Sequence, residues 1–540
     1  MPELKVLIDD AEHAIPFVRG NTVRDILGGA GISIRSGCLG NGACGLCLIE
    51  VVAGRADGMT RNEHLMLTDE QAARNQRLAC QTIPEDDITV RIVNPAPRSR
   101  WRNLPAEWLR PVTGIPVDSY AEPSQHGLGL AVDLGTTHIS ATLWDLAGRL
   151  RLRGMSGANP QQRFGADVMT RLTAAGGSPE AAASMARLPL SALSRALFDM
   201  CALEETTPAE VRRLSIVGNT PMLALLTGSD PHIMLDPHFW TEPVECRPGV
   251  PAEWAVELGM AADAAVEVIP PFAGFVGSDL LAGVLATNLT DSANGLLIDF
   301  GTNAEIALWD GETLWVTSAA CGPAFEGSGI QCGVPAEPGA IYRFHPGVPD
   351  GTGPDIRYEV IGGGAATGIC GSGLVDLIAC LRDHGRLAPT GGFTGTVNGE
   401  GYLVQARDGR PGIRLTKGDV DMFQRAKAAI AVGVRTLMDR AGLGLDRLQS
   451  VKVCGAFGRQ LDIANAQLIG LLPQLEPRRI ELCGNTALAG CERLLLSPAG
   501  RQELAALAAR ARIVNMAHTE DFEQLFFESL FLQPLELGPQ

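Results

Sequence analysis

Four cysteines near the start of the chain have the spacing of an iron–sulfur ligand set. Cys38, Cys44 and Cys47 form a glycine-rich C-x5-C-x2-C segment, and Cys80 follows 33 positions after the last of them. Three thiolates on one tight loop and a fourth from a distant strand suit a 2Fe–2S cluster, in which each iron takes two cysteine ligands. The pattern therefore predicts one-electron chemistry.

On spacing alone, the same four cysteines could also form a structural zinc site or a set of unmetallated core thiols. A four-cysteine zinc site usually has two C-x2-C knuckles, whereas Cys80 has no cysteine near it in the sequence. The intervening glycines, Gly40, Gly42 and Gly45, favour the cluster, because backbone N–H groups can approach sulfur closely where no side chain intervenes.

Two aspartates further along each end an apolar strand and precede a glycine turn. The segments are Asp133-Leu-Gly135-Thr136-Thr137 and, about 165 residues later, Asp299-Phe-Gly301-Thr302-Asn303. A carboxylate at a strand end can hold hydrated Mg²⁺, and the residues after the glycine offer hydroxyl and N–H donors to phosphate oxygens. The repeat predicts a nucleotide site in which Asp133 and Asp299 hold Mg²⁺.

Three more segments could complete such a site. A third apolar strand runs into Gly455-Ala456-Phe457-Gly458, and a helix earlier in the chain opens with Gly371-Ser372-Gly373. For the second of these, contact with a nucleotide and plain turn geometry account equally well for the residue types. In the segment 322–327, Glu326 could place a carboxylate over the cleft.

Strands and helices alternate in the part of the chain that carries these turns. Strands are predicted at 128–134, 296–300 and 451–454, and helices at 180–200, 278–287, 419–441 and 485–496. The clearest helix is 419–441, and Thr416 with Asp419 forms a near capping box at its start. The alternation is typical of an α/β protein, and the two strand–Asp–Gly–Thr segments predict a duplicated half.

The N-terminal region has a different character. Strands at 4–8, 15–18, 47–52 and 88–93 and helices at 22–27 and 62–73 predict a small α+β domain at residues 1–94. Six prolines then break regular structure in a linker at 95–127, which also contains arginines and tryptophans. That linker either docks onto a partner or lies against its own domains, and the second is favoured. Residues 128–540 form the remaining domain.

Composition limits the classes of function. The 540 residues are 46% hydrophobic and carry a formal charge of −17, which disfavours a nucleic-acid partner because binding phosphate backbones needs a basic face. No apolar run is long enough for a membrane helix, and no signal peptide is recognisable, so we expect a cytoplasmic protein without a membrane partner. Most of the nine scattered later cysteines are predicted to be core residues.

Both parts of the chain resemble known families. Residues 3–94 resemble β-grasp ferredoxins with adrenodoxin-like spacing, which assigns Cys38, Cys44, Cys47 and Cys80 as ligands of a 2Fe–2S cluster. Residues 128 onward resemble the actin, sugar-kinase and heat-shock-chaperone ATPase superfamily, whose phosphate-1, phosphate-2 and adenosine motifs correspond to the three turns. This resemblance implies two ribonuclease-H-like halves with ATP between them, and 483–490 looks like the second connecting helix.

The same resemblance suggests a catalytic residue. The segment 271–279 precedes the second phosphate strand and ends in Gly277-Ser-Asp279. Sugar kinases of this superfamily carry a Gly-Asp there, in which the aspartate is the base. By analogy Asp279 would orient or deprotonate the attacking water. The alternative is a helix N-cap, a position that aspartate favours.

Over nearly its full length the chain is similar to reductive activators of corrinoid-dependent proteins. Family-like segments lie at 159–161, 165–168, 217–222 and 322–327, with departures at Pro221, where threonine is expected, and at Ala456, where a glycine is frequent. The resemblance implies ATP-dependent transfer of a low-potential electron to the Co(II) corrinoid of a methyl-transfer protein, restoring Co(I). It also implies an unidentified low-potential electron donor and suggests a homodimer. Residues 159–168 would touch either the partner or the nucleotide.

Three rival functions share parts of this pattern. An activator of another low-potential metalloenzyme would use the same ATPase fold, but such activators resemble dimers that share one 4Fe–4S cluster. A small-molecule kinase with a redox-sensing ferredoxin domain would need no protein partner. A chaperone or scaffold would turn over ATP slowly and respond to unfolded peptides.

Overall fold

The computed structural model describes residues 1–8, 11–30, 32, 34, 38, 40–43, 45–93, 101–104, 109–112, 126–165, 167–327, 329–346, 356–395, 401–405, 412–455, 457, 460–519 and 521–535. They form two compact units, residues 1–100 with 160–174, and residues 101–159 with 175–540. Within the described ranges, no helix combines the length and the apolar character needed to cross a bilayer.

The described part of the N-terminal unit is a small sheet with helices. It contains β1 (Glu3–Ile8), β2 (Ala11–Pro16), α1 (Val23–Gly29), β3 (Leu48–Ala53), α2 (Arg61–Met66), α3 (Asp69–Ala73), β4 (Gln76–Leu78) and β5 (Ile88–Ile92). The strand order is β2-β1-β5-β3-β4, with β1 parallel to β5 and the other neighbours antiparallel. Helix α1 buries Val23 and Leu27 in one core with Leu4 and Val6 of β1. This arrangement confirms the predicted β-grasp fold.

Two predicted elements of this unit are displaced. The second strand lies at Ala11–Pro16, earlier than the predicted 15–18, and pairs with β1. The single helix predicted at 62–73 is two helices, because Leu67 is extended and Thr68 starts a new helix. The Thr68 side chain accepts from the Gln71 N–H while the Gln71 side chain accepts from the Thr68 N–H, a capping box that favours a fresh helix start.

The first half of the second unit is built on a six-stranded sheet. Its strands are β6 (Arg102–Asn103), β7 (Leu128–Leu134), β8 (His138–Asp145), β9 (Leu150–Ala158), β10 (Val211–Gly218) and β11 (Ala265–Val268), in the order β11-β10-β7-β8-β9-β6. The chain between β9 and β12 contains α4 (Val168–Gly177), most of which belongs to the first unit, and then α5 (Pro179–Leu203), α6 (Thr220–Thr227), α7 (His232–Leu235), α8 (Pro251–Glu257) and α9 (Ser278–Thr287).

The second half repeats this plan. Its main strands are β12 (Gly295–Phe300), β13 (Ala304–Trp309), β14 (Leu314–Ala319), β20 (Ser450–Gly455), β21 (Ile480–Gly484) and β22 (Ala511–Ile513), in the order β21-β20-β12-β13-β14-β22. Inserted between β14 and β20 are β15 (Ala340–Pro346), β16 (Ile356–Val360), β17 (Gly368–Ile369), α10 (Gly371–Asp383), β18 (Tyr402–Gln405), β19 (Ile413–Leu415) and α11 (Lys417–Ala441). The remaining helices are α12 (Ile463–Leu468), α13 (Thr486–Leu496), α14 (Pro498–Arg510) and α15 (Phe522–Ser529).

The two halves share the order and directions of five strands, whereas their edge strands differ: β6 is antiparallel to β9, and β22 is parallel to β14. In each, three consecutive antiparallel strands are extended by two parallel ones, β10 and β11 beside β7, and β20 and β21 beside β12. The predicted duplication and the two ribonuclease-H-like halves are thereby confirmed. Helices α9 and α13 cross closely, since a Cβ at Gly490 would lie 2.1 Å from the Ala282 carbonyl oxygen.

The described parts of the predicted linker lie on the first half. Arg102–Asn103 pairs with β9, so the prediction that prolines exclude regular structure throughout 95–127 is wrong at this point. A Cβ at Gly157 would touch the Trp101 ring at 3.0 Å, and one at Gly154 would lie 3.2 Å from the Leu109 side chain. Packing against its own domain was the favoured alternative for this segment. Residues 95–100, 105–108 and 113–125 are outside the described ranges.

A buried lysine holds the C-terminal segment of the chain. Lys427 of α11 is 2% exposed and its Nζ donates to the Phe531 carbonyl at 2.7 Å. Gln424 and Arg382 donate to the neighbouring carbonyls of Leu530 and Leu532 at 2.7 and 2.9 Å. Burial lowers the pKa of Lys427 to about 8.

We expect Lys427→Met to remove a pH-dependent part of the free energy of unfolding. Between pH 8 and about 10.4, the ordinary lysine value, the unfolded chain binds more protons than the folded one, so this lysine makes stability rise with pH by about 3 kcal/mol. Urea unfolding of the wild type and the variant at pH 8 and pH 10 measures how much the free energy of unfolding of each protein changes with pH. Parallel pH profiles would contradict the expectation.

Candidate functional site

The two Asp–Gly turns close equivalent hairpins in the two halves. Gly135, Thr136 and Thr137 join β7 to β8, and Gly301, Thr302 and Asn303 join β12 to β13. A Cβ at Gly135 would lie 2.7 Å from the His138 carbonyl oxygen, and one at Gly301 would lie 3.1 Å from the Asn303 carbonyl oxygen. A side chain at Gly135 would therefore force its surroundings to shift, and one at Gly301 would make a tight contact.

The structure brings these turns into direct contact. The Thr137 and Thr302 hydroxyl oxygens lie 2.9 Å apart. Both hydroxyls also donate to Oε2 of Glu326, Thr302 at 3.0 Å and Thr137 through a shorter bond. Thr136 accepts a hydrogen bond from Asn219 at 3.0 Å. The predicted phosphate-binding groups thus face one another, with the Glu326 carboxylate between them.

Carboxylates gather at the strand ends beneath the turns. Burial, with the Glu326 charge adding to it, raises the pKa of Asp133 to about 6, while a hydrogen bond from Asn485 at 2.6 Å acts in the opposite direction. Burial and the charges of Asp279, Asp133 and Glu326 raise the pKa of Asp299 well above its usual range. Burial and the charges of Asp279 and Asp299 do the same to the pKa of Glu305. Such mutual repulsion favours a cation at this position.

The residues fit a hydrated magnesium ion better than a fully coordinated metal. Among the described residues, no group of three or more His, Cys, Asp or Glu side chains is arranged to hold a metal ion by itself. Mg²⁺ usually keeps several waters and takes one or two carboxylates together with substrate phosphates. Asp133 and Asp299 suit that role.

Asp279 lies at the start of α9 and belongs to the same acidic group. The N-cap of α9 is Gly277, so Asp279 is not the cap itself, although its Oδ1 accepts from the Leu280 N–H at 2.9 Å. Burial and the Asp133 charge raise the pKa of Asp279 to about 7. A Cβ at Gly277 would lie 2.3 Å from the Gly218 carbonyl oxygen, which fixes this helix start against the end of β10.

The third predicted turn begins beside Asp299. Gly455 ends β20 with φ +82°, and a Cβ there would lie 2.2 Å from Asp299 Oδ1. Phe457 is 2% exposed and packs edge-on against Phe300 and Phe325. Its side chain therefore anchors the turn from inside the core and leaves only its backbone for a ligand. Ala456 and Gly458 lie outside the described residues.

The Gly371-Ser372-Gly373 segment opens α10 in a tightly packed place. A Cβ at Gly371 would lie 2.0 Å from the Phe325 carbonyl oxygen and one at Gly373 would lie 2.3 Å from the Ile341 carbonyl oxygen. The Ser372 hydroxyl donates to the Tyr342 carbonyl at 3.0 Å and is buried. Helix packing accounts for these residue types, and their contact with a nucleotide stays a prediction.

We expect Gly455→Ala to weaken ATP binding about tenfold or more, because the new methyl group must displace Asp299 or strain the backbone. Gly442→Ala is the matched control, since Gly442 also has positive φ, +61°, but has no atom within 4 Å of a new Cβ. The control should cost about 1 kcal/mol of stability without changing ATP affinity. Calorimetric titration measures both affinities, and equal affinities in the two variants would contradict this interpretation.

Sequence reasoning missed three polar residues that support the turns. Asn485 bonds Asp133 from the N-cap of α13, 352 positions away. Asn159 is fully buried and donates to the Gly135 carbonyl at 2.9 Å, so it supports the first turn from behind. Glu305 is a buried carboxylate within β13. Asn159 lies in the segment 159–168 that was predicted to contact the partner or the nucleotide, and Asn485 follows a strand–Gly turn, but Glu305 had no local signal.

In the N-terminal unit, three of the four predicted cluster ligands are described. Cys38 is half-buried, and Cys47 and Cys80 are buried. The sulfurs of Cys38 and Cys47 both form hydrogen bonds with Cys80, and these contacts, together with burial, raise the pKa of Cys80. Cys44 lies outside the described residues. The thiols of the loop and of Cys80, just after β4, are of the donor type that a 2Fe–2S cluster takes.

The glycines of the cysteine loop adopt backbone conformations that residues with a side chain rarely adopt. Gly40, Gly42 and Gly45 all have positive φ, from +65° to +94°. A Cβ at Gly40 would lie 2.5 Å from the Arg24 guanidinium, and one at Gly42 would lie 2.9 Å from Asn62 and Gln81. The Gln81 amide donates to the Gly40 carbonyl at 2.9 Å and to the Cys80 sulfur at 3.7 Å.

Three family models match successive parts of the chain. The model described as "2Fe-2S iron-sulfur cluster binding domain" matches residues 6–85. That described as "RACo middle region" matches residues 128–292, and "C-terminal domain of RACo the ASKHA domain" matches residues 293–539.

Individual proteins are similar over long stretches. "Corrinoid activation enzyme RamQ" of Eubacterium limosum is 33% identical over 390 residues, 68% of this chain and 64% of that protein. The Co(II) methylated amine-specific corrinoid protein reductase of Methanosarcina barkeri is 29% identical over 282 residues, 48% of this chain and 50% of that protein. The chain thus spans less than two thirds of either curated relative. The solved structure titled "Reductive activator for corrinoid,iron-sulfur protein" is 27% identical, with a TM-score of 0.66 and 99% of both chains covered.

Proposed function

The chain belongs to the RACo family, and from this membership we propose that it is an ATP-dependent reductive activator of corrinoid proteins. It delivers one electron to the inactive Co(II) corrinoid of a methyl-transfer protein and so restores Co(I). The observation that carries the proposal is the combination, in one chain, of a 2Fe–2S domain with two facing turns, 135–137 and 301–303, that can bind phosphate and are called the phosphate turns below. The names of the two curated relatives and of the solved structure support it.

The domains divide this work. We place the ferredoxin domain at residues 1–94, the linker at 95–127 and the ATPase domain at 128–540, limits that the family matches at 6–85 and 128–539 support. A 2Fe–2S cluster supplies one electron at low potential, about −400 mV in plant-type ferredoxins. Cys38, Cys44, Cys47 and Cys80 would hold it, and an external donor of lower potential must reload it.

The ATPase domain supplies the driving force. An electron moved uphill by about 100 mV costs about 2.3 kcal/mol, and ATP binding and hydrolysis can exceed this several-fold. Thr136, Thr137 and Thr302 donate to phosphate oxygens, Asp133 and Asp299 hold the hydrated Mg²⁺, and Asp279 orients the attacking water. Most of phosphoryl-transfer catalysis is such placement and charge neutralisation.

Coupling requires that ATP and the corrinoid protein favour the same conformation. A ligand shifts an equilibrium between two states only by its difference in affinity for them. The turns come from opposite halves of the duplicated domain and meet in the structure, so a phosphate group held by both of them would fix one arrangement of the halves. In the proposal, that ATP-bound arrangement tightens the complex with the Co(II) protein, and hydrolysis releases it.

The test is anaerobic and spectroscopic. The prereduced protein is mixed with a Co(II) corrinoid methyl-transfer protein, and Co(I) absorbance is followed with and without MgATP. Co(I) that forms only with MgATP supports the proposal. A reducible cluster and ATP turnover without Co(I), across several corrinoid partners, would indicate a different low-potential metalloenzyme as client.

A further inference from the structure

Glu326 is held rigidly between the two phosphate turns. It ends a short helical turn, Pro323–Glu326, which Gly322 and Gly327 flank with φ of +70° and +74°. The preceding residue, Phe325, is 1% exposed and packs edge-on against Phe300, Phe423 and Phe457. The backbone at Glu326 is therefore anchored in the core of the second half, and only its side chain is free to change position.

The carboxylate uses the hydroxyls that the proposed function assigns to phosphate. Oε2 of Glu326 accepts from Thr137 of the first half and from Thr302 of the second. A threonine hydroxyl has one hydrogen to donate. Neither hydroxyl can donate to Glu326 and to a phosphate oxygen at once, so this arrangement and phosphate binding by these hydroxyls exclude each other.

We propose that Glu326 is an internal substitute for a nucleotide phosphate, which links the two turns when no nucleotide is bound and is displaced by ATP. The inference rests on the proposed function and deepens it. A carboxylate oxygen offers the same kind of anionic acceptor as a phosphate oxygen. The contact keeps the turns of the two halves together between catalytic cycles, and ATP must compete with it.

The proposal predicts the sign of a substitution effect. In Glu326→Gln the amide oxygen still fits between the hydroxyls, but hydrogen bonds to a neutral acceptor are weaker than those to a charged one. We expect ATP affinity to rise about tenfold and KM for MgATP to fall similarly, with kcat changing less. AMP, which lacks the phosphates that reach the turns, should bind unchanged.

Calorimetric titration of ATP and AMP into the full-length holoprotein tests this. Glu312→Gln is the matched control, because Glu312 is an exposed glutamate in the β13–β14 turn of the same half. An ATP affinity that is unchanged or lower in Glu326→Gln overturns the proposal, and a lower one would make Glu326 a ligand of MgATP. Thermal unfolding of the variants separates these effects from a loss of structure.

A second measurement separates this inference from the proposed function. Hydrogen exchange of the amides at 135–137 and 301–303, without nucleotide, should be faster in Glu326→Gln than in the wild type and in Glu312→Gln. Equal exchange overturns the link between the turns even if ATP drives Co(I) formation. Faster exchange, in a protein whose wild type binds no ATP, would keep the link and remove the proposed function.

Discussion

A Cys80→Ala variant is expected to lose both the visible absorption of the 2Fe–2S centre and all ATP-driven formation of Co(I), while ATP turnover persists. Cys80 is 5% exposed and its sulfur contacts those of Cys38 and Cys47, so it closes the ligand set from outside the loop. With three thiolates left, one iron lacks its second cysteine. Co(I) formation should fall to the rate seen without the protein.

The persistence of ATP turnover is the informative half of this result. Cys80 belongs to the N-terminal unit, whereas both phosphate turns and their supporting residues belong to the second unit. Cys332→Ala is the matched control, since Cys332 is a half-buried cysteine of the second unit. That variant should keep both the spectrum and the activity. A Cys80→Ala protein that retains its cluster spectrum and reduces Co(II) would contradict the ligand assignment.

Local sequence signals identified the elements that carry the chemistry. Thr416 and Asp419 form the capping box of α11, as predicted, because a cap depends on residues three positions apart. The two Asp–Gly turns were recognisable for the same reason, as each is a contiguous strand–turn segment. Their repetition then predicted the duplicated halves.

What sequence reasoning missed depends on contacts between distant residues. Asn485 reaches Asp133 across 352 positions, and Glu326, which the sequence predicted to lie over the cleft, contacts a partner that it did not indicate, Thr137, across 189. Neither residue type signals its partner, so only the packing of the two halves brings them together. The prediction for Phe457 was less specific than the structure. Its place in a turn of the predicted nucleotide site suggested contact with a ligand, whereas its ring is buried by aromatic packing. The helix predicted at 62–73 is two helices because a capping box at Thr68 and Gln71 starts a new one, a local signal that the prediction did not use.

The second large effect is expected for Asp299→Asn, which should lower Mg²⁺-dependent ATP hydrolysis by about 10²–10³-fold and abolish the ATP dependence of Co(I) formation. Asparagine has nearly the same shape, so the close approach to Gly455 is kept. The variant loses a negative charge, and with it a ligand that hydrated Mg²⁺ prefers. The visible spectrum of the 2Fe–2S centre should not change.

The same substitution should stabilise the protein when Mg²⁺ is absent. Burial and the charges of Asp279, Asp133 and Glu326 all disfavour an ionised Asp299, as its raised pKa indicates. Removing that carboxylate relieves the repulsion, so the melting temperature in a chelator should rise by several degrees while activity is lost, a trade-off that is common where function requires clustered charge. Asp263→Asn, at an exposed aspartate paired only with Arg212 among the described contacts, should change neither quantity. ATP turnover within threefold of the wild type would show that Asp299 is not part of the magnesium site. An unchanged melting temperature would show that repulsion among these buried carboxylates does not destabilise the protein.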